Sequence, residues 1–263
     1  MKKNKIFTII VLSVLFCTFF VFLFVNRLHK TKFTSQIQFD TNQFDLAAVD
    51  CLPQKLLDIK DFGSVSRITV RCKDSFNDFS NTKFSKDNSD LQKYLQQTEY
   101  IDFENSIVKD LSEVLGLSKL NAIECAKEIL KTINQATGFI EYDSQLARQI
   151  SMGNTYGRSA SETLNIKKGT CGEFTNVFIA LMRLNNIPTK YVQGYWIAPE
   201  GQTLHAWAEF YDENKGWISV DPQVGMFGIT KYQVKILEGI DFSKIGADFS
   251  SLVFANAKIL NEE

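Results

Sequence analysis

The sequence predicts an α+β fold, because its C-terminal half contains a buried helix followed by an antiparallel meander. The helix is indicated by apolar residues that recur at helical spacing after Cys171: Phe174, Val177, Phe178, Leu181 and Leu184. Strands are indicated at 190–196, 205–211 and 217–221, and the polar turn 212–216 joins the last two as a hairpin.

The elements upstream are predicted by the same two periodicities. Residues 65–72 alternate as a strand does, and the polar stretch 33–60 before them predicts a stalk. Ser159 and Glu162 have the spacing of a capping box, which predicts a short helix through Leu164. Three further helices are predicted, at 89–98, 104–115 and 118–136.

Composition and charge place the chain among globular proteins. Its 263 residues are 44% hydrophobic with 14 Gly and 4 Pro, which excludes collagen-like, low-complexity and wholly disordered chains. Six of the 29 basic residues and none of the 30 acidic ones lie in residues 1–32, so the remainder has a net charge of −7. Such an acidic body lacks the basic face that nucleic-acid binding needs, and we expect no nucleic-acid partner.

Residues 6–25 form an uncharged run rich in Phe, Val, Leu and Ile. In a helix with a rise of ~1.5 Å per residue, this run can cross a hydrocarbon core of ~30 Å. It is longer than the apolar core of a signal peptide, and no small-residue cleavage site follows it. We therefore expect an uncleaved single-pass membrane anchor within residues 1–32. The body is expected outside the cytoplasm, because a basic tail of five residues rarely crosses a membrane.

The rest of the chain divides near residue 115. Residues 33–115 show no pattern that indicates a function, so we describe them as a membrane-proximal region of unknown role. Residues 116–263 contain the buried helix and the hairpin, and they form the expected functional domain with a motif core at 159–222.

The cysteine content argues against a disulfide scaffold, because the chain has only five cysteines. Cys17 lies in the expected anchor, and Cys125 lies beside the apolar stripe of a predicted helix. Cys51 and Cys72 either form a disulfide across a short loop or remain two free buried thiols, and the sequence leaves both alternatives open. There is no Cys-x-x-Cys pair, so we expect no metal site and no cofactor.

Cys171 has surroundings that suit a nucleophile. It lies in the first turn of the buried helix, where unpaired N–H groups and the helix dipole favour a thiolate over a thiol. Gly169 and Gly172 on either side let a substrate carbonyl approach closely. A buried structural cysteine is the plain alternative for this position taken alone.

His205 is the one candidate base outside the membrane-flanking region, since the only other histidine is His29. If Tyr211 pairs with Trp217 in the hairpin, Asp221 lies diagonal to His205 on the same face. A carboxylate there can fix the imidazole tautomer, while the other ring nitrogen exchanges a proton with a thiol. Cys171, His205 and Asp221 then form a nucleophile, base and orienting acid.

Strand alternation also predicts an apolar face of the hairpin, opposite to His205 and Asp221. We expect this face to point into the core and the polar face to lie against the start of the Cys171 helix. The residues of the apolar face are Ala206, Ala208, Phe210, Ile218 and Val220.

In these motifs the chain resembles the transglutaminase-like family, a branch of the papain-like cysteine enzymes. The resembling segments are Glu162-Thr-Leu164, Gly169-Thr-Cys-Gly-Glu-Phe174, Asn186-Ile-Pro-Thr-Lys190, Gly194-Tyr195, His205-Ala-Trp-Ala-Glu209, Gly216-Trp217 and Val220-Asp-Pro222. The resemblance implies a papain-like core in which Cys171 is the nucleophile, His205 the base and Asp221 the residue that orients it.

The chain departs from the family at the second donor of the oxyanion hole. In the family this donor comes from an upstream element and is a Trp side chain in the animal cross-linking enzymes. Every Trp of this chain follows Cys171, so Gln145, Asn154 and Tyr156 are the open alternatives.

Two functions are consistent with these observations. The first is a membrane-anchored cysteine enzyme that attacks amide or peptide carbonyls of a peptide or protein substrate. Its thioester intermediate would pass to water or to an amine. The alternative is a catalytically inactive transglutaminase-like domain that binds peptides or partner proteins.

Overall fold

Two antiparallel sheets frame the part of the chain that this computed structural model describes, residues 34–75, 91–152, 157–245 and 254–262. The first sheet contains four strands: β1 (Thr34–Thr41), β2 (Gln54–Asp61), β3 (Ser66–Lys73) and β11 (Phe254–Glu262). Their order across the sheet is β11–β1–β3–β2. The last described strand of the chain therefore pairs with the first.

The second sheet has five strands in the order β10–β6–β7–β8–β9, so consecutive strands form the predicted meander. These strands are β6 (Thr189–Ala198), β7 (Gly201–Asp212), β8 (Gly216–Asp221), β9 (Met226–Phe227) and β10 (Gln233–Gly239). A separate parallel pair is formed by β4 (Glu141–Tyr142) and β5 (Lys168–Gly169).

Helices precede the second sheet along the chain, and the whole is a mixed fold of helices and antiparallel sheets, as predicted. The α-helices are α1 (Leu46–Val49), α2 (Ser106–Val114), α3 (Ala122–Ile133), α4 (Ser144–Ser151), α5 (Ala160–Ile166) and α6 (Cys171–Leu184). Short 3₁₀ helices occur at Leu91–Leu95, Leu117–Lys119, Gln135–Thr137 and Phe242–Lys244.

Helix α6 lies in the interior, because every residue from Glu173 to Arg183 is buried. It shares the main apolar core with the face of the hairpin that the sequence predicts to be apolar. The body of α6 therefore packs on the apolar face of β7 and on β6, while Cys171 at its first position reaches His205 on the polar face.

The register of the central strands agrees with the prediction. Tyr211 pairs with Trp217 across β7 and β8. On the other side of β7, His205 pairs with Gly194 of β6. A Cβ at Gly194 would lie 2.1 Å from the carbonyl oxygen of Val234, so only glycine allows β10 to approach this closely.

The stalk predicted over residues 33–60 is wrong from Thr34 onward. This stretch forms β1, α1 and β2, and Ile37 and Phe39 on β1 are fully buried. On one side β1 pairs with β11, which lies far along the chain. Ile37, for example, lies opposite Ile259. The domain boundary near residue 115 stays a prediction.

The helices predicted upstream of the core are present but shorter. The segment 104–115 forms α2, and 118–136 forms α3, which begins at a capping box of Asn121 and Glu124. The segment 89–98 contains only the 3₁₀ helix Leu91–Leu95 among its described residues.

The expected anchor at 6–25 lies outside the described residues. Within the described ranges, no helix has the length and apolar content needed to cross a membrane. The described cysteines are free, so Cys51 and Cys72 are unpaired as in the second alternative left open by the sequence, although only Cys72 is buried. Cys72 is buried, and its thiol donates to the side-chain oxygen of Gln54 at 3.8 Å.

Candidate active site

A buried carboxylate fixes the start of α6. Glu173 Oε2 accepts hydrogen bonds from the backbone N–H and the hydroxyl of Thr170, both at 2.7 Å, and its Oε1 accepts from the N–H of Arg158 at 3.2 Å. Gly169 is required beside it, because a Cβ there would lie 2.5 Å from the Cβ of Glu173. Cys171 therefore begins α6 at a fixed place and remains partly exposed to solvent.

The structure brings the three residues singled out in the sequence into one hydrogen-bonded chain. His205 Nε2 lies 2.6 Å from Asp221 Oδ2, and the imidazole also hydrogen-bonds Cys171. Because Asp221 occupies Nε2, Nδ1 is the ring nitrogen that remains for the thiol. Asp221 is 0% exposed and His205 is 7% exposed, so the ion pair is shielded from water.

The protonation of His205 is set by these neighbours. Burial disfavours the imidazolium, but the charge of Asp221 and the hydrogen bonds to Asp221 and Cys171 outweigh burial and raise the pKa of His205 to about 10. A protonated imidazole beside a cysteine stabilises the thiolate, which is the nucleophilic form of the thiol.

Residues 120–222 match the sequence model of the transglutaminase-like superfamily, and this stretch includes Cys171, His205 and Asp221. The chain carries a transglutaminase-like domain. A comparison with curated protein sequences finds no match.

Two solved structures are similar to the chain. A candidate cysteine protease from Cytophaga hutchinsonii is 19% identical, with 88% of each chain covered and a TM-score of 0.53, so the two proteins share a fold. The periplasmic domain of TgpA from Pseudomonas aeruginosa is 17% identical over 71% of this chain and 69% of the other, with a TM-score of 0.46.

Two aromatic rings surround the imidazole in the transglutaminase-like domain. The indole of Trp196 meets the ring of His205 edge-on at 5.9 Å between centroids, and Trp207 stacks on it at 6.2 Å. Trp207 is fully buried, whereas Trp196 is partly exposed. Trp207 therefore supports the imidazole from inside, and Trp196 contacts it from the partly exposed side.

Gln233 contacts Asp221, and this contact is not predictable from the sequence. Its Nε2 donates to Asp221 Oδ2 at 3.0 Å, and the side chain is 1% exposed. Gln233 begins β10, beyond the residues of the transglutaminase-like match, and nothing in its local sequence marks it.

The three oxyanion-hole donors left open by the sequence stay predictions. Gln145 lies exposed on α4, while Asn154 and Tyr156 lie outside the described residues. Tyr142 is a further upstream side chain near the site, because the parallel pairing of β4 and β5 sets it opposite Gly169, two residues before Cys171. A two-residue strand has too little alternation to be recognised in sequence.

The described residues contain no group of three or more His, Cys, Asp or Glu side chains that could hold a metal ion. A cavity of about 720 Å³ lies between the β6–β7 turn and β11. It is lined by residues 197–202 and 257–262 and includes none of the three residues of the hydrogen-bonded chain.

The raised pKa of His205 predicts a pH-dependent stability. The folded state binds a proton at His205 up to about pH 10, whereas the unfolded state releases it near 6.5. The contribution of this proton to the free energy of unfolding has its full value below pH 6.5 and is lost as the pH rises toward 10. Relative to His205→Gln, we expect the wild type to be favoured by on the order of 4 kcal/mol more at pH 6 than at pH 10, with the decline beginning near pH 7.

Urea unfolding of the full chain across this pH range measures the difference. Asp221→Asn is the matched control, because it keeps the imidazole but removes the charge that raises its pKa. A difference between the wild type and His205→Gln that is constant, or that grows with pH, would contradict the assignment.

Proposed function

We propose that the chain is a membrane-anchored cysteine enzyme that attacks amide or peptide carbonyls through a thioester intermediate. The observation that carries this proposal is the continuous hydrogen-bonded chain from Cys171 through His205 to the buried carboxylate of Asp221. A thiol, an imidazole and a carboxylate in this order activate a nucleophile and stabilise the imidazolium that results.

The first half-reaction forms the acyl-enzyme. The Cys171 thiolate attacks the carbonyl carbon, and the π electrons move to the oxygen, giving a tetrahedral oxyanion. When this collapses, the C–N bond breaks and the leaving amine takes the proton held on His205 Nδ1. Asp221 keeps the ring oriented throughout and stabilises its charged form.

The second half-reaction releases the acyl group. Water or an amine attacks the thioester carbon, and His205 Nδ1 accepts the proton of the attacking group. The Cys171–carbon bond then breaks and the thiolate leaves, so the enzyme returns to its starting state. Water gives hydrolysis, and an amine gives transfer.

The oxyanion is held by the backbone N–H of Cys171 and the hydroxyl of Tyr142. The first N–H groups of α6 have no helical partner and point toward the developing charge. Tyr142 lies beside Gly169 and is 48% exposed, so its ring is accessible from the site. Partial burial and the neighbouring charge of Cys171 raise the pKa of Tyr142, which keeps its hydroxyl protonated as a donor.

The membrane anchor is residues 6–25, with the body outside the cytoplasm. This part of the proposal rests on the sequence alone, on the uncharged run and the basic residues on either side of it.

The first test of the enzyme is Cys171→Ser. The full chain is incubated with peptide mixtures and a primary amine, and mass spectrometry detects products that have lost or exchanged an amide nitrogen. We expect the wild type to form such products and Cys171→Ser to lose this activity by at least roughly 10³-fold, because the thiolate is the nucleophile.

Cys51→Ser is the matched control, since Cys51 is also a partly exposed free thiol but lies outside the site. Equal rates for Cys171→Ser and the wild type would refute the mechanism. A wild type that retains a peptide without altering it would favour the inactive binding domain instead.

The second test addresses the oxyanion hole. Tyr142→Phe removes one hydroxyl and keeps the ring, so we expect kcat to fall roughly 10²- to 10³-fold while KM changes little. Steady-state kinetics measures both constants. Tyr94→Phe is the control, because Tyr94 packs on Trp217 at the other end of the hairpin. If kcat of Tyr142→Phe equals that of the control, another group donates to the oxyanion.

The third test concerns the anchor. We expect the full chain to stay with membranes after a wash at high salt and high pH. Leu15→Lys should release it into the soluble fraction, since a lysine at the centre of a span costs roughly 2.5–3.5 kcal/mol. Leu15→Val is the control and should stay membrane-bound. Release of the wild type by the wash, or a mature form cut between residues 17 and 35, would refute the anchor.

A further inference from the structure

The segment 229–232, between β9 and β10, is held by residues just after β3 and by one backbone bond to β6, in which the N–H of Ile197 donates to the carbonyl of Tyr232 at 2.9 Å. The backbone N–H of Ser75 donates to the carbonyl of Ile229 at 3.0 Å, and the N–H of Ile229 donates to Ser75 Oγ at 2.8 Å. The N–H of Lys231 donates to Asp74 Oδ1 at 2.7 Å. Residues immediately after β3 therefore determine where this segment runs.

Two more strands of the same sheet as β3 contact this segment, β1 at its beginning and β11 at its end. The hydroxyl of Ser35 on β1 donates to the carbonyl of Lys231. Glu262 of β11 accepts from Lys231 Nζ at 2.7 Å and from the hydroxyl of Tyr232 at 2.6 Å. The ends of β1, β3 and β11 thus converge on four residues that lead into β10.

These four residues position the side chain of Gln233. Its backbone N–H donates to the carbonyl of Thr230 at 3.1 Å, and its Oε1 accepts from the N–H of Thr230 at 2.8 Å. With the amide oxygen occupied in this way, Nε2 is directed at Asp221 Oδ2, 3.0 Å away. The orientation of the amide is therefore determined by Thr230.

The contact with Gln233 restrains the orientation of the Asp221 carboxylate toward the imidazole. Asp221 Oδ2 accepts from both His205 and Gln233, while Oδ1 has no hydrogen-bond partner among the described residues. Any tilt of the carboxylate away from this orientation weakens both hydrogen bonds at once. Gln233 is neutral and has no proton to exchange at neutral pH, so it restrains Asp221 without competing with His205.

Neighbouring charged groups cannot replace this contact, because they are already paired. On the same face of the sheet, Lys235 Nζ lies 2.8 Å from Glu209 and 2.5 Å from Glu238, and Glu238 also pairs with Lys190 at 2.6 Å.

From these contacts the geometry points to Gln233 as a positioning residue for the Asp221–His205 pair, held in place through segment 229–232 by the ends of β1, β3 and β11. Its effect on turnover rests on the proposed function, whereas its effect on the His205–Asp221 hydrogen bond does not. The four-stranded sheet, for which the sequence indicates no role, thereby determines the geometry of the candidate active site.

The test is Gln233→Met in the full chain, which keeps the side-chain volume and removes the donor. Proton NMR follows the strongly deshielded N–H between His205 and Asp221, and iodoacetamide measures the alkylation rate of Cys171. We expect this resonance to broaden or move upfield. We also expect kcat to fall roughly 10- to 100-fold, as for the loss of a hydrogen bond to a charged group, with KM within about twofold.

Gln54→Met is the matched control. Gln54 is also buried, and its Nε2 donates to the carbonyls of Val49 at 2.7 Å and Lys235 at 3.0 Å. It has no hydrogen bond to the hydrogen-bonded chain of Cys171, His205 and Asp221. We expect it to lower the melting temperature and leave the resonance and kcat unchanged. The inference fails if Gln233→Met also keeps the resonance, the alkylation rate and kcat of the wild type.

A second variant covers the case in which Gln233→Met does not fold. Asp74→Ala removes one bond to segment 229–232 near the surface, and we expect the same shift of the resonance to a smaller extent. An unchanged resonance in Asp74→Ala would overturn the coupling to the sheet. The NMR and alkylation results stand even if no peptide is turned over, so failure of the proposed function is separable from failure of this inference.

Discussion

The structure depends on keeping one carboxylate charged where water does not reach it. Asp221 has no exposed surface, and an isolated charge in such a place costs a large part of the stability of a domain. Its compensation comes from His205 on β7 and Gln233 on β10. Because side chains alternate along strands, a slip of one residue in β7 or β10 would remove a partner from this face. The buried charge therefore makes the register of the sheet costly to change.

A second set of buried charges acts on the same face and with the same effect. Lys235 lies between Glu209 of β7 and Glu238 of its own strand, and Lys190 of β6 completes the group. The two pairs that join different strands, Lys235 with Glu209 and Lys190 with Glu238, form only in the observed strand order. The central sheet thus has an apolar face that supplies hydrophobic stabilisation and a polar face that specifies alignment. The site lies on the face that specifies alignment.

The sequence predicts what is local and fails where distant segments meet. The helix after Cys171 and the hairpin were predictable, because each pattern is complete within about 20 residues and the turn sets the pairing of Tyr211 with Trp217. The strand at Thr34–Thr41 is not evident in the sequence, since one of its two partners, β11, lies more than 200 residues away. Tyr142 was missed for the same reason, because only its pairing with Gly169 brings it near the site.

The three reactive side chains and the groups that hold them belong to different parts of the chain. The transglutaminase-like match at 120–222 contains the thiol, the imidazole and the carboxylate. Gln233 lies after it, and the strand ends that place Gln233 come from both sides, at Ser35 and Asp74 before it and at Glu262 after it. Short motifs around reactive groups can therefore identify the chemistry of a site without identifying its support. The Asp221–His205 contact therefore depends on the whole unit from Thr34 onward. The four-stranded sheet that holds the segment before Gln233 includes strands from both ends of that unit.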